Sequence, residues 1–161
     1  MSKRLIGGTA SLEGRNIFIH PGNSSMVEMS YGRIRLGKAE RRVDFENKGQ
    51  ETGLVCLSGT ATVTVGQQSF EMQAKDALYI SKGLSMAVET TSEADLVECS
   101  AKVDGEYPVQ FVPYASVRAD EKRHFIAGSD SSKREIDIML GTNVNAGKLV
   151  VGVTSSLPGN W

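Results

Sequence analysis

The stretch Thr60-Ala61-Thr62-Val63-Thr64-Val65 decides the fold class of this chain. A period of two sets Ala61, Val63 and Val65 on one face and Thr60, Thr62 and Thr64 on the other, the pattern of a strand with one buried side. Gly66-Gln67-Gln68 then turns the chain into Ser69-Phe70-Glu71-Met72. On the other side, residues 53–57 are continuously apolar, as expected of a strand covered on both faces, and Gly59 punctuates the two runs. Asp76-Ala77-Leu78-Tyr79-Ile80, closed by Lys82-Gly83, and residues 86–89 and 95–101 read as further strands. The alternation predicts one core containing Ala61, Val63, Val65, Leu78, Ile80 and Val88.

Further out the strands remain short. Ile17-Phe18-Ile19 stops at Pro21-Gly22-Asn23, and residues 26–36 form a β-rich run ending at Gly37. Residues 104–132 hold Pro108, Pro113, a charged cluster and Gly128-Ser129-Asp130, and read as a long irregular connection with one short helical turn. Strand character returns at 134–140 and 148–153. No segment sustains a period of 3.6, so the chain is expected to be an all-β sandwich or barrel.

At 161 residues the chain has a one-domain length and can bury a core without disulfides or metals. Its net charge of −1 lacks the basic excess that nucleic-acid binding requires. Cys56 and Cys99 lie in apolar runs and are expected to be buried free thiols, with a disulfide between them the alternative that spacing alone does not decide. The first residues lack the apolar core of a signal peptide, and no apolar run approaches ~18 residues, so a cytoplasmic protein without membrane contact is expected.

A search for chemistry finds no Gly-rich phosphate loop, no nucleophile elbow and no Cys-x-x-Cys pair. His20 and His124 lie far apart in sequence, and neither neighbours a second ligand type at metal spacing. Each is expected to be solvent-exposed or to cap local backbone. No residue is assigned as catalytic, cofactor-binding or metal-ligating.

Residues 53–86 resemble the body of a cupin barrel. Cupins hold a metal with three histidines and a glutamate drawn from two short motifs. Gly59 fits the closing glycine of the first motif. The glutamate slot then falls on Thr52, with Glu51 beside it, and the two histidine slots fall within residues 45–48, where no histidine occurs. In the second motif Lys75 takes the first glycine slot, Ser81 the proline slot and Met86 the histidine slot, while Gly83 is retained. Hydroxyls and a thioether are poor ligands for a hard divalent ion, so a metal-free cupin jelly roll is expected.

A more specific resemblance covers nearly the whole chain. Glu51-Thr52-Gly53 through Val65, and Lys75-Asp76-Ala77-Leu78-Tyr79-Ile80-Ser81-Lys82-Gly83, resemble the N-terminal domain of a bicupin uronate isomerase family. That family includes 5-deoxy-glucuronate isomerase of inositol catabolism and 5-keto-4-deoxyuronate isomerase of pectin breakdown. Gly152-Val153-Thr154 with Pro158-Gly159-Asn160-Trp161 is similar to the strand that opens the second cupin of these enzymes, and the ending favours the inositol branch. The resemblance implies an N-terminal cupin domain with linker over 1–146 and the opening strand of a second cupin over 147–161. It implies an aldose–ketose isomerase acting on a deoxy-uronate, with this chain as a scaffold and dimerisation half, inactive alone. A divalent metal is implied for the other domain. The alternative is a non-enzymatic, metal-free cupin serving as a sugar-binding or interaction module. A homodimer is expected, because the apolar residues of 148–154 need cover from a second chain or from the chain's own barrel, with Trp161 partly buried in the dimer.

Overall fold

A computed structural model describes residues 6–159. Antiparallel pairing dominates. One sheet has six strands in the order β1 (Gly14–Ile19), β2 (Met29–Leu36), β9 (Ala94–Lys102), β4 (Gln50–Gly59), β7 (Ala77–Ile80) and β10 (Gln110–Val112). A four-stranded sheet runs β3 (Arg42–Glu46), β8 (Ser85–Glu89), β5 (Ala61–Val65), β6 (Gln68–Met72). The two enclose one core, and the cupin-type jelly roll expected from the sequence is what forms. Ala61, Val63, Val65, Leu78, Ile80 and Val88 all lie in that core, with Ile34, Leu54, Met72 and Leu96. At the end of β4, Gly59 adopts a φ of 75°, and a side chain there would collide with the carbonyl of Glu93.

A third sheet of three strands, β11 (His124–Ala127), β12 (Arg134–Leu140) and β13 (Val151–Ser156), packs outside the barrel. It shares a second core with the outward side chains of the six-stranded sheet. Val55, Tyr79, Cys99 and Ala101 from the barrel meet Val117, Met139, Leu140, Leu149 and Val151. Tyr79, on the opposite face of β7 from Leu78, is therefore fully buried. Both cysteines are free and buried, Cys56 in the first core and Cys99 in the second. Burial pushes both thiols up to about 11, which keeps them protonated.

Several sequence expectations need correction. The 104–132 connection is more ordered than its composition suggests: it contains β10, a five-residue helix α1 (Tyr114–Arg118) and β11. The four residues between Pro108 and Pro113 are too few to show a period, yet three of them form β10, which completes the sheet by pairing with β7. The strand β3 carries three charged residues and was not anticipated. Of the two covers expected for the apolar residues of 148–154, the chain's own supplies at least part, while Val150 stays exposed. Leu149 and Val151 are covered by this chain's own second core, and β13 pairs with β12. Trp161 lies outside the described residues. Among the described residues no helix is long and apolar enough to cross a membrane.

Candidate functional site

The positions that match the cupin metal slots lie at one end of the barrel. Phe45, on β3, faces Met86 on β8, and Met86 is packed into the first core. Thr52, fully buried on β4, shares a hydrogen bond with Ser100 of β9 at 3.1 Å. Asn47 donates its amide to the carbonyl of Ser81 at 2.7 Å and accepts the N–H of Leu84 at 2.9 Å. The nearest ionisable pair is Arg15 with Glu98. Their contact is bidentate, 2.7 Å on both arms, and the guanidinium lies 4.0 Å above the Phe45 ring. A phenyl ring, an amide, a hydroxyl and a thioether are a poor donor set for a hard divalent ion, and the Glu98 carboxylate is already neutralised by Arg15. The residues of this barrel do not fit the metal that the cupin pattern would hold.

Two other groups of polar side chains connect the barrel to the outer sheet. Asp137 of β12 is wholly buried. Its carboxylate accepts from Lys75 Nζ at 2.8 Å, from His124 Nδ1 at 2.7 Å and from the Tyr114 hydroxyl at 3.3 Å. Burial alone would raise the pKa of Asp137, but the bonds from Lys75 and His124 outweigh it and the net shift is downward. The acceptor-only carboxylate fixes the His124 tautomer with its proton on Nδ1. The other ring nitrogen lies 3.7 Å from Glu135. His124, Glu135 and Asp137 could each offer a ligand atom within 4.8 Å of the others. However, the Lys75 ammonium already sits against Asp137, where an added cation would be repelled. The cluster is therefore a latch: it ties α1, β11 and β12 to the turn before β7.

Glu51 forms the second tie. Fully buried on β4, it accepts the Tyr79 hydroxyl at 2.7 Å and the backbone N–H groups of Gly147, Lys148 and Leu149 at 2.7, 2.6 and 2.8 Å. Burial and the Glu51 carboxylate together raise the Tyr79 pKa. Three consecutive amides converging on one carboxylate hold the segment that leads into β13.

Of the two histidines, His20 fits the capping role expected: its Nδ1 accepts the N–H of Gly22 at 3.0 Å. His124 does not lie free. Its partners are 11 and 13 residues away on the neighbouring strand, and strand pairing brings them together.

Comparison with known proteins adds the following. Residues 9–161 match the KduI/IolB family. A 5-deoxy-glucuronate isomerase from Shouchella clausii is 24% identical over 156 residues, a match spanning 89% of this chain and 56% of that protein. A 4-deoxy-L-threo-5-hexosulose-uronate ketol-isomerase from Escherichia coli O127:H6 is 29% identical over 125 residues, spanning 73% of this chain and 43% of that protein. The chain thus spans about half the length of the curated relatives it matches. Among solved structures, an IolB-like protein from Salmonella typhimurium LT2 superposes with a TM-score of 0.78 at 20% identity. That match covers 91% of this chain and 57% of that one.

Proposed function

The chain belongs to the KduI/IolB family, and from that premise we propose that it is the non-catalytic barrel half of a deoxy-uronate aldose–ketose isomerase. The observation that carries the reading is the family match over nearly the whole chain, joined to a barrel end whose slots hold Phe45, Asn47, Thr52 and Met86 in place of metal ligands. The substrate we favour is 5-deoxy-glucuronate, the compound in the name of the Shouchella clausii relative, which would set the reaction in inositol catabolism. A cytoplasmic setting accords with the two free thiols.

Aldose–ketose isomerisation moves a proton between adjacent carbons and needs a positioned acid–base group. A divalent metal, which we assign to the other half of the protein, would polarise the carbonyl. The residues of this half bind and orient structure instead. Arg15 and Glu98 close the barrel end, Glu51 captures residues 147–149, and Asp137 fixes the outer sheet. The apolar filling of the barrel also suits a second reading, a metal-free cupin that acts only as an interaction module.

An isomerase assay on 5-deoxy-glucuronate separates them. The full polypeptide should turn the substrate over and the purified 161-residue chain should not. A full polypeptide with no activity on any deoxy-uronate would leave the interaction-module reading.

A further inference from the structure

The chain passes from the barrel to the outer sheet once. β10 is the last barrel strand, Pro113 follows it in an extended conformation, and α1, β11, β12 and β13 then lie outside the barrel. Among the described residues, no backbone hydrogen bond or strand ladder joins residues 114–156 to the barrel strands. Side chains span the joint instead. Glu51 holds the amides of residues 147–149, and Lys75 holds Asp137. Asp76 accepts the N–H of Tyr114 at 2.8 Å. The Gln110 side-chain amide donates to the carbonyl of Asn145 and accepts its N–H, each at 2.8 Å. Lys148 pairs with Glu28 at the exposed rim, 3.3 Å apart.

The apolar packing divides along the same line. The first core lies between the two barrel sheets, and the second lies between the six-stranded sheet and the outer unit. Gly53 of β4 sits on the line of contact: a Cβ there would lie 2.8 Å from Leu140 Cδ1 and 3.3 Å from Val151 Cγ2. Cys99 of β9 is paired with Gly53, so its thiol lies under the outer unit. Drawing a strand out of the barrel would break a ladder and open the first core. Lifting the outer unit off would break no ladder. It would cost the second core and the side-chain ties, whose polar groups can turn to water. A few residues at the end of an element suffice as a hinge, and Pro113 stands at the crossing.

We propose that residues 114–156 form a hinged flap that leaves the barrel as one unit while the barrel stays closed. Its release bares the outward side chains of β4, β7 and β9, among them Val55, Tyr79 and Cys99, and leaves the first core covered. The opening free energy of such a unit lies below that of global unfolding. The two free cysteines report on different events. Cys99 lies beneath the flap and answers to its release; Cys56 lies in the first core and answers to the opening of the barrel. The flap is independent of isomerase activity, and its test reads none.

Alkylation of the 161-residue chain by iodoacetamide, followed peptide by peptide in a mass spectrometer, reads both events at once. Cys99 should react about 100-fold faster than Cys56 in water, and its rate should rise with urea below the unfolding transition. Two variants divide the possibilities. Val63→Ala removes first-core packing that the docked and released forms share, so it should speed Cys56 about tenfold or more and leave Cys99 unchanged. Glu51→Gln sets a donor against amides that need an acceptor, a loss felt only when the flap is docked, so it should speed Cys99 about tenfold or more. If both thiols react at one rate, or Val63→Ala speeds both alike, flap and barrel open together and the proposal falls. A fast Cys99 that ignores urea and Glu51→Gln is reacting in place, at its 8% exposure, and equally overturns the flap. If Glu51→Gln does not fold, the urea dependence and Val63→Ala carry the test.

Discussion

Replacing Glu51 by alanine should loosen one segment before it unfolds the whole. The substitution removes the acceptor for the Tyr79 hydroxyl and for the amides of Gly147, Lys148 and Leu149. A buried donor left without a partner costs about 1–3 kcal/mol. Four such groups give a gross loss of about 4–12 kcal/mol. Part is offset because the variant no longer buries a charge, a cost of several kcal/mol in itself, and because water can enter the vacated space. A net destabilisation of about 3–5 kcal/mol is expected, a large share of the 5–15 kcal/mol typical of a folded domain. Urea unfolding measures the total, and hydrogen exchange locates it. Amides 147–149 should lose protection first, followed by β13, while β4 and β9 stay slow. A loss below about 1 kcal/mol, or unchanged protection at 147–149, would refute the claim that Glu51 holds this segment.

Three further outcomes follow from the same structure. Val63→Asp buries an unpaired charge at a wholly buried site and should cost several kcal/mol by thermal unfolding; an unchanged melting temperature would mean that the β5 side chains face the other way. Asp137 has a pKa lowered in the folded state, so its contribution is present above the unfolded carboxylate pKa and is lost as pH falls through the folded value. Asp137→Asn should therefore weaken the protein at neutral pH and flatten the acid side of its stability profile, and an unaltered acid limb would contradict the latch. With the β13 edge open, the 161-residue chain should gain mass with concentration in light scattering at micromolar levels; a clean monomer on concentration would show the edge to be protected.

The barrel was legible because its strands obey local rules. Alternation at 60–65 and the Leu78/Ile80 pair chose the buried face without reference to anything distant, and both lie in the first core. The strand β3 escaped notice because Val43 and Phe45 are separated by Asp44 and flanked by Arg42 and Glu46, all facing solvent, so the segment reads as a polar surface. The two ties were invisible for another reason. Glu51 meets amides 96 to 98 residues away, and Lys75 meets Asp137 across 62 residues. No spacing rule covers such distances; only the packing of the outer sheet on the barrel creates them. In the sequence Glu51 stood out merely as the neighbour of an empty ligand slot.

The central claim is that this half provides framework and the other half the metal and the chemistry. Elemental analysis of both forms, each purified without chelator, tests it most directly. The account predicts about one divalent transition metal per full polypeptide and none held stoichiometrically by the 161-residue chain. One tightly held zinc, manganese or iron per 161-residue chain would contradict it.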